Sequence, residues 1–176
     1  MNARSESEAA RMKNRTTVER TSDREVVVTR TFDAPARLVF EAWTRPELFK
    51  QWWVPRSMDM FLRSCEMDVR VGGGYKLAFG HDPSSSAEFF GRYLDVTPNA
   101  SLAWTNDEDH AGEQVTTVTF EERDGRTTVT VRDRYPSKDA LDAAIAAGSS
   151  GIDAMPEQLQ QLDELLVSVA ASGGPS

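Results

Sequence analysis

Between residues 137 and 169 the apolar side chains Leu141, Ile145, Ile152, Met155, Leu159, Leu162, Leu166 and Val169 recur in alternating steps of four and three, with Gly148 in the one remaining place. Only a helix brings such positions onto one face. Ser137 suits an N-cap and Asp139 puts negative charge in the first turn. The stripe keeps its phase past Gly148, Gly151 and Pro156, which predicts one long, kinked helix with its bend at Pro156 or at the glycines. At about 1.5 Å per residue such a helix runs about 50 Å. Its apolar face needs a broad partner, and the segments before it supply one.

Those segments read as strands. The first, 25–32, is β-branched and stops at Asp33-Ala-Pro. Val26, Val28, Arg30 and Phe32 share one of its faces; unpaired buried charge is costly, so Arg30 is expected on the solvated side. Asp33 is placed to cap a helix over 35–44, with Pro35 in its first turn. Pro46 opens a second short helix to about residue 53, and Pro55 closes it. Six further strands follow at 58–65, 74–80, 87–97, 101–105, 114–122 and 127–135. They are punctuated by Gly72-Gly-Gly, Asp82-Pro-Ser-Ser-Ser, Pro98-Asn, the acidic run from Asn106 to His110, and a hairpin turn at Asp124-Gly. Short connections make neighbours antiparallel except across the helix pair. The fold class is therefore α+β: a seven-stranded curved antiparallel sheet wrapped around a long C-terminal helix, with two short helices between strands one and two.

The 176 residues suffice for one domain, expected over 23–171, with a disordered tail at 1–22 too polar to offset its ordering entropy and a frayed end at 172–176. Formal charge is −8, and the basic residues are scattered, which argues against nucleic acid and against an anionic membrane surface. Cys65 stands alone, and no apolar run reaches membrane-spanning length, so the chain is expected in the cytoplasm.

The runs FDAPARLVFEAWTRPELFKQWWVP (32–55), CEMDVRVGGGYKLAF (65–79) and FFGRYLDVTPNASLAWT (89–105) resemble bacterial homologues of the activator of the ninety-kilodalton heat-shock protein ATPase. The combination of the first run with the MDVRVGG turn carries the resemblance, which spans residues 24–169. It implies the helix-grip fold shared with START lipid carriers, polyketide cyclases and the birch-pollen allergen. It implies too a cavity between sheet and helix that holds a small apolar ligand, or else a protein partner. Similar sequences often carry Gly, Met and Trp where this chain has Gly148 to Gly151 and Pro156, which implies a more open cavity wall here.

Trp43, Phe49, Trp52 and Trp53 gather on the helix pair, either as rings that anchor it to the sheet or as a lid over a flat ligand. Trp53 is the ring expected at the opening. Tyr75, Leu77, Phe79, Trp104, Val118, Phe120, Val129 and Val131 have the parity of the sheet's inner face, and Gly148 and Ile152 would face them from the helix. The residues expected to line a ligand are accordingly Trp53, Tyr75, Leu77, Phe79, Trp104, Val118, Val131, Gly148 and Ile152.

No metal or cofactor pattern emerges. Gly72-Gly-Gly lacks both the helix and the Lys-Ser/Thr of a phosphate loop and reads as a tight turn. His81 and His110 sit far apart, and Cys65 has no identified partner. Among polar candidates for the cup, Glu66, Asp68, Arg70, Arg92 and Asp133, the last shares parity with Val129 and Val131. It would be the most telling if buried, because an apolar pocket raises a carboxyl pKa. Three readings follow, in this order: a binder of a small hydrophobic molecule; a cyclase- or hydrolase-like enzyme in the same cup; and a co-chaperone-like module that docks a chaperone or other protein. A monomer and a homodimer are both compatible with the sequence.

Overall fold

A computed structural model describes residues 16–58, 60–80, 87–107, 114–148 and 151–171, with side chains in the last stretch from 154 to 170. The described strands are β1 (Thr17–Arg20), β2 (Glu25–Phe32), β3 (Phe61–Met67), β4 (Gly74–Gly80), β5 (Ala87–Thr97), β6 (Ser101–Asn106), β7 (Gln114–Arg123) and β8 (Arg126–Arg134). The helices are α1 (Ala36–Thr44), α2 (Pro46–Phe49), α3 (Lys138–Ala146) and α4 (Gly151–Ala171). One sheet holds all eight strands in the order β1-β2-β8-β7-β6-β5-β4-β3, every neighbouring pair antiparallel. The chain is thus α+β as expected, with eight strands rather than seven.

The additional strand lies inside the segment expected to be a tail. Thr17–Arg20 is exposed throughout and pairs with Val26 to Thr29 of β2. Its stability comes from backbone hydrogen bonds at a sheet edge, so no apolar alternation announces it. The remainder of the tail, residues 1–15, and the end at 172–176 lie outside the described residues.

The helical stripe is real, but it is divided between two helices. Ser137 caps α3 by accepting a hydrogen bond from the Ala140 amide, 3.1 Å away. Gly148 then takes a left-handed φ of 69° and its amide bonds back to the Ile145 carbonyl, which stops the helix where a residue with a side chain would be strained. Pro156, in contrast, is carried inside α4. It lies early in the helix, so only one backbone bond is forfeited. Leu141, Met155, Leu159, Leu162 and Leu166 of the stripe are all buried in the core.

Arg30 corrects another expectation. The face it shares with Val26, Val28 and Phe32 is the buried one, and Arg30 is only 7% exposed. Its charge is met by Asp163 of α4 at 2.8 Å, with Gln160 and Thr16 accepting further bonds at 3.0 Å each. Gln160 and Asp163 lie 130 and 133 positions away along the chain, beyond the reach of pattern reading. Asp33 does not cap α1 either. It pairs with Arg126 at 2.6 Å, and the first amide of α1 is satisfied by Glu122 of β7 at 2.7 Å.

The turn after α2 is fastened to α4 by side-chain amides. Gln161 donates to the carbonyls of Trp52 and Val54 at 3.0 and 2.9 Å and accepts from the Arg56 amide at 2.8 Å. Gln158 donates to the Trp53 carbonyl. Both glutamines are buried. A Gln161→Leu substitution would strand these backbone groups away from water, so urea denaturation is expected to show a loss of about 2 to 4 kcal/mol. An unchanged midpoint would mean that the clamp contributes nothing.

Candidate functional site

One inner corner of the sheet is hollow. A cavity of about 410 Å³ lies between β4 to β8, the helix pair and the start of α4. Alternation on β4 turns Tyr75, Leu77 and Phe79 inward. Tyr93 comes from β5 and Trp104 from β6, while Trp43, Phe49 and Trp53 close the cup from the helix pair and Met155 and Gln158 from α4.

The rings form a connected frame. Trp43 packs against Trp52, Trp53 and Trp104 with centroids 4.7, 6.1 and 6.0 Å away. Trp53 stacks on Phe49 at 4.6 Å. Tyr75, Tyr93 and Trp104 meet edge to face at 5.9 to 6.4 Å. Such packing fixes the rings against one another without filling the space between the walls. Trp43, Phe49 and Trp52 are buried anchors, and Trp52 donates from Nε1 to the Ala42 carbonyl at 2.9 Å. Trp53 also lines the cavity but remains partly exposed.

The opposite wall is polar. Tyr75 donates from its hydroxyl to the Thr105 carbonyl at 2.8 Å and approaches Asn106 Oδ1 at 3.3 Å. Asn106 Nδ2 donates to Thr116 Oγ1 at 3.0 Å, and Thr116 in turn donates to Asp133 Oδ1. Asp133 is 8% exposed. Burial pushes its carboxyl from an ordinary 3.8 up to about 6, against the lowering effect of the Thr116 hydrogen bond. The neighbouring Tyr135 phenol is raised to about 12, first by burial and then by the Asp133 charge. Among the described residues, Asp133 is the one lining group with a formal charge at neutral pH.

Residues 33–167 match the family model for Activator of Hsp90 ATPase homolog 1-like protein, most of the 176-residue chain. The chain belongs to that family. Solved structures agree in fold. A protein of Nitrosomonas europaea is 23% identical with a TM-score of 0.74, covering 86% of this chain and 99% of its own. One from Rhodobacter sphaeroides is 20% identical with a TM-score of 0.75, over 88% and 99% of the two chains. One from Staphylococcus epidermidis is 28% identical with a TM-score of 0.70, over 86% and 94%. No curated protein matches the chain significantly. Among the described residues no helix is long and apolar enough to cross a membrane, and no group of three or more His, Cys, Asp and Glu is placed to hold a metal ion.

In this member of the Activator of Hsp90 ATPase homolog 1-like family, Trp53, Tyr75, Leu77, Phe79, Trp104 and Gly148 line the cavity. Val118 and Val131 do not: paired directly across β7 and β8, they are 0% and 1% exposed and belong to the filled core. The hollow begins one inward pair further along, at Thr116 and Asp133. The side chain of Ile152 lies outside the described residues, as do His81 and His110. Glu66, Asp68, Arg70 and Arg92 are exposed, with Asp68 paired to Arg70 at 2.9 Å. Cys65 is half-buried, and burial raises its thiol pKa, which disfavours the thiolate a nucleophile needs. Gly73 sits in the expected tight turn, where an added Cβ would fall 2.1 Å from the Asp68 carbonyl oxygen.

Sequence reading missed Tyr93, Asn106, Gln114, Thr116, Tyr135, Met155 and Gln158 among the lining residues. Thr116 had the parity of Val118 to signal it; Tyr93 was obscured by the irregular register of β5 against β6.

Because the folded chain holds the Asp133 proton to about pH 6 and the unfolded chain releases it near 4, stability falls as pH rises between those values and stays reduced above them. The isosteric Asp133→Asn removes that loss. In thermal or urea unfolding of ligand-free protein, the variant is expected to be more stable at pH 7.5 by roughly 2 to 3 kcal/mol, with the gap closing toward pH 4. A gap of the same size at both pH values would refute the assignment.

Proposed function

We propose that this protein encloses one small, mostly apolar molecule between its sheet, helix pair and α4. The supporting observation is the cavity itself: about 410 Å³ framed by aromatic and methionine side chains, with its polar groups gathered mostly on the wall of Asn106, Thr116 and Asp133 and a single amide, Gln158, on α4. Ligand sites are typically concave, apolar and supplied with a few placed polar groups. Two of the lining methionines, Met58 and Met60, are adaptable surfaces for an apolar guest. The likeness to Activator of Hsp90 ATPase homolog 1-like proteins supports the same reading through the fold.

A cyclase- or hydrolase-like reaction in this cup has one observation in its favour, the buried Asp133 carboxyl. The other ionisable groups of the described lining are Tyr75, Tyr93 and Tyr135. Burial raises the phenols of Tyr93 and Tyr135, so neither is suited to act as a base at neutral pH. Binding is therefore the first reading.

1-Aminoanthracene, uncharged at neutral pH and small enough for the cavity, is the direct probe. It is expected to quench tryptophan fluorescence saturably at one site per chain, because Trp43, Trp53 and Trp104 all border the space it would occupy. Native mass spectrometry of gently purified protein is expected to show a small molecule retained by the chain. Absence of both saturable quenching and a retained molecule would contradict this function.

A further inference from the structure

The most unusual group in the cup is Asp133. Three inward positions of β8, Thr127, Val129 and Val131, are at most 1% exposed and closed off in the core, and Asp133 follows them in the same alternation at the edge of the hollow. Its carboxylate accepts one hydrogen bond, from Thr116, on Oδ1. Among the described residues it has no ion pair, and no Lys, Arg or His borders the cavity. The fold elsewhere pairs its buried charge, as Arg30 with Asp163 shows. A buried carboxylate ordinarily needs a cation or several donors; here one acceptor oxygen and the charge itself are left for whatever enters the cup.

The rest of the lining favours the same chemistry. Tyr75, Tyr93, Trp43 and Trp104 surround the space with aromatic rings, whose negative faces attract a cation and give an anion nothing. The Asn106 and Thr116 donors are already used within the wall, and the buried lining donor without a partner, Trp43 Nε1, is a neutral N–H that can serve a polar atom of a guest but brings no positive charge to meet an anion. The net charge of the whole chain, −8, adds a long-range field of the same sign.

We propose that the molecule bound in this cup is a lipophilic amine, its apolar body among the aromatic rings and its protonated nitrogen donating to the free oxygen of Asp133. This rests on the binding function proposed above and specifies the ligand class. Asp133 is thereby a specificity-determining residue: without a cation its charge lowers stability, and the bound ammonium offsets that loss. The raised carboxyl pKa is consistent with a group that lacks its counter-ion.

Three ligands of matched size test it: 1-naphthalenemethylamine, 1-naphthalenemethanol and 1-naphthoate, titrated calorimetrically at pH 7.5 into the full chain and into Asp133→Asn. The folded state of the variant is checked by its unfolding transition. In the unaltered protein the amine is expected to bind about tenfold more tightly than the alcohol, the value of one charge-assisted hydrogen bond, and the carboxylate most weakly. In Asp133→Asn the ratio of amine to alcohol affinity should fall to about one. Equal affinities in the unaltered protein, a preference for the carboxylate, or an amine preference that survives in the variant would each overturn the inference. If 1-aminoanthracene still binds in those cases, the cup remains a ligand site and only its ligand class is wrong. If neither 1-aminoanthracene nor any naphthalene binds, the binding function fails and the amine assignment with it.

Discussion

Two buried amides hold the cup closed. The turn that follows α2 has carbonyls at Trp52, Trp53 and Val54 that face the protein interior, and Gln158 and Gln161, three positions apart on one face of α4, satisfy all three. Each backbone carbonyl removed from water without a donor would cost about 1 to 3 kcal/mol. The clamp therefore holds the turn after the helix pair against α4, and it fixes the backbone of Trp53 beside the cavity. Arg56 and Ser57 extend the connection outward, to Glu164 and Glu157. At the other end of the sheet, Arg30 and Asp163 hold α4 to β2. Helix and strands are thus tied on both sides of the space they enclose, by polar contacts rather than by filling it.

A hollow of this size is destabilising unless its walls are braced independently of its contents. The aromatic frame meets that condition. Trp43 of α1 touches Trp52 after α2, Trp104 of β6 and Phe120 of β7, and the tyrosines of β4 and β5 lean on Trp104, so the walls support each other at their edges. Along β7 and β8 the inward pairs run Phe120 with Val129, Val118 with Val131, then Thr116 with Asp133. Apolar filling thus gives way to polar lining within two residues. That gradient gives the cup an orientation, with carbon at the helix pair and an acid at the far wall.

Much of the scaffold could be read from the chain because its signals are local. Gly74–Gly80 and Ala87–Thr97 are bounded by turn residues and were legible to the residue, and the stripe from Leu141 to Leu166 reports burial through its spacing alone. Asp133 stood out by parity with Val129 and Val131. What stayed illegible depended on partners remote in sequence. Arg30 is buried because Asp163 exists across the fold; the first amide of α1 is capped by Glu122 rather than by the adjacent Asp33. Thr17–Arg20 forms a strand with no buried side chain to betray it. Parity identifies the inner face but not which part of it is filled, so Val118 and Val131 looked equivalent to Tyr75 and Leu77. The difference arises where α4 and the helix pair part from the sheet and leave the cavity, a tertiary feature that periodicity does not report.

The central claim is that the space between sheet and helices is occupied by a guest in the working protein. Its most direct test is a crystal structure grown with 1-naphthalenemethylamine. Density for the naphthalene ring is expected between Trp43, Tyr75 and Trp104, with the nitrogen within hydrogen-bonding distance of Asp133. Density only on the outer face of the sheet, or side chains collapsed into the cup with no room for the ring, would contradict the account.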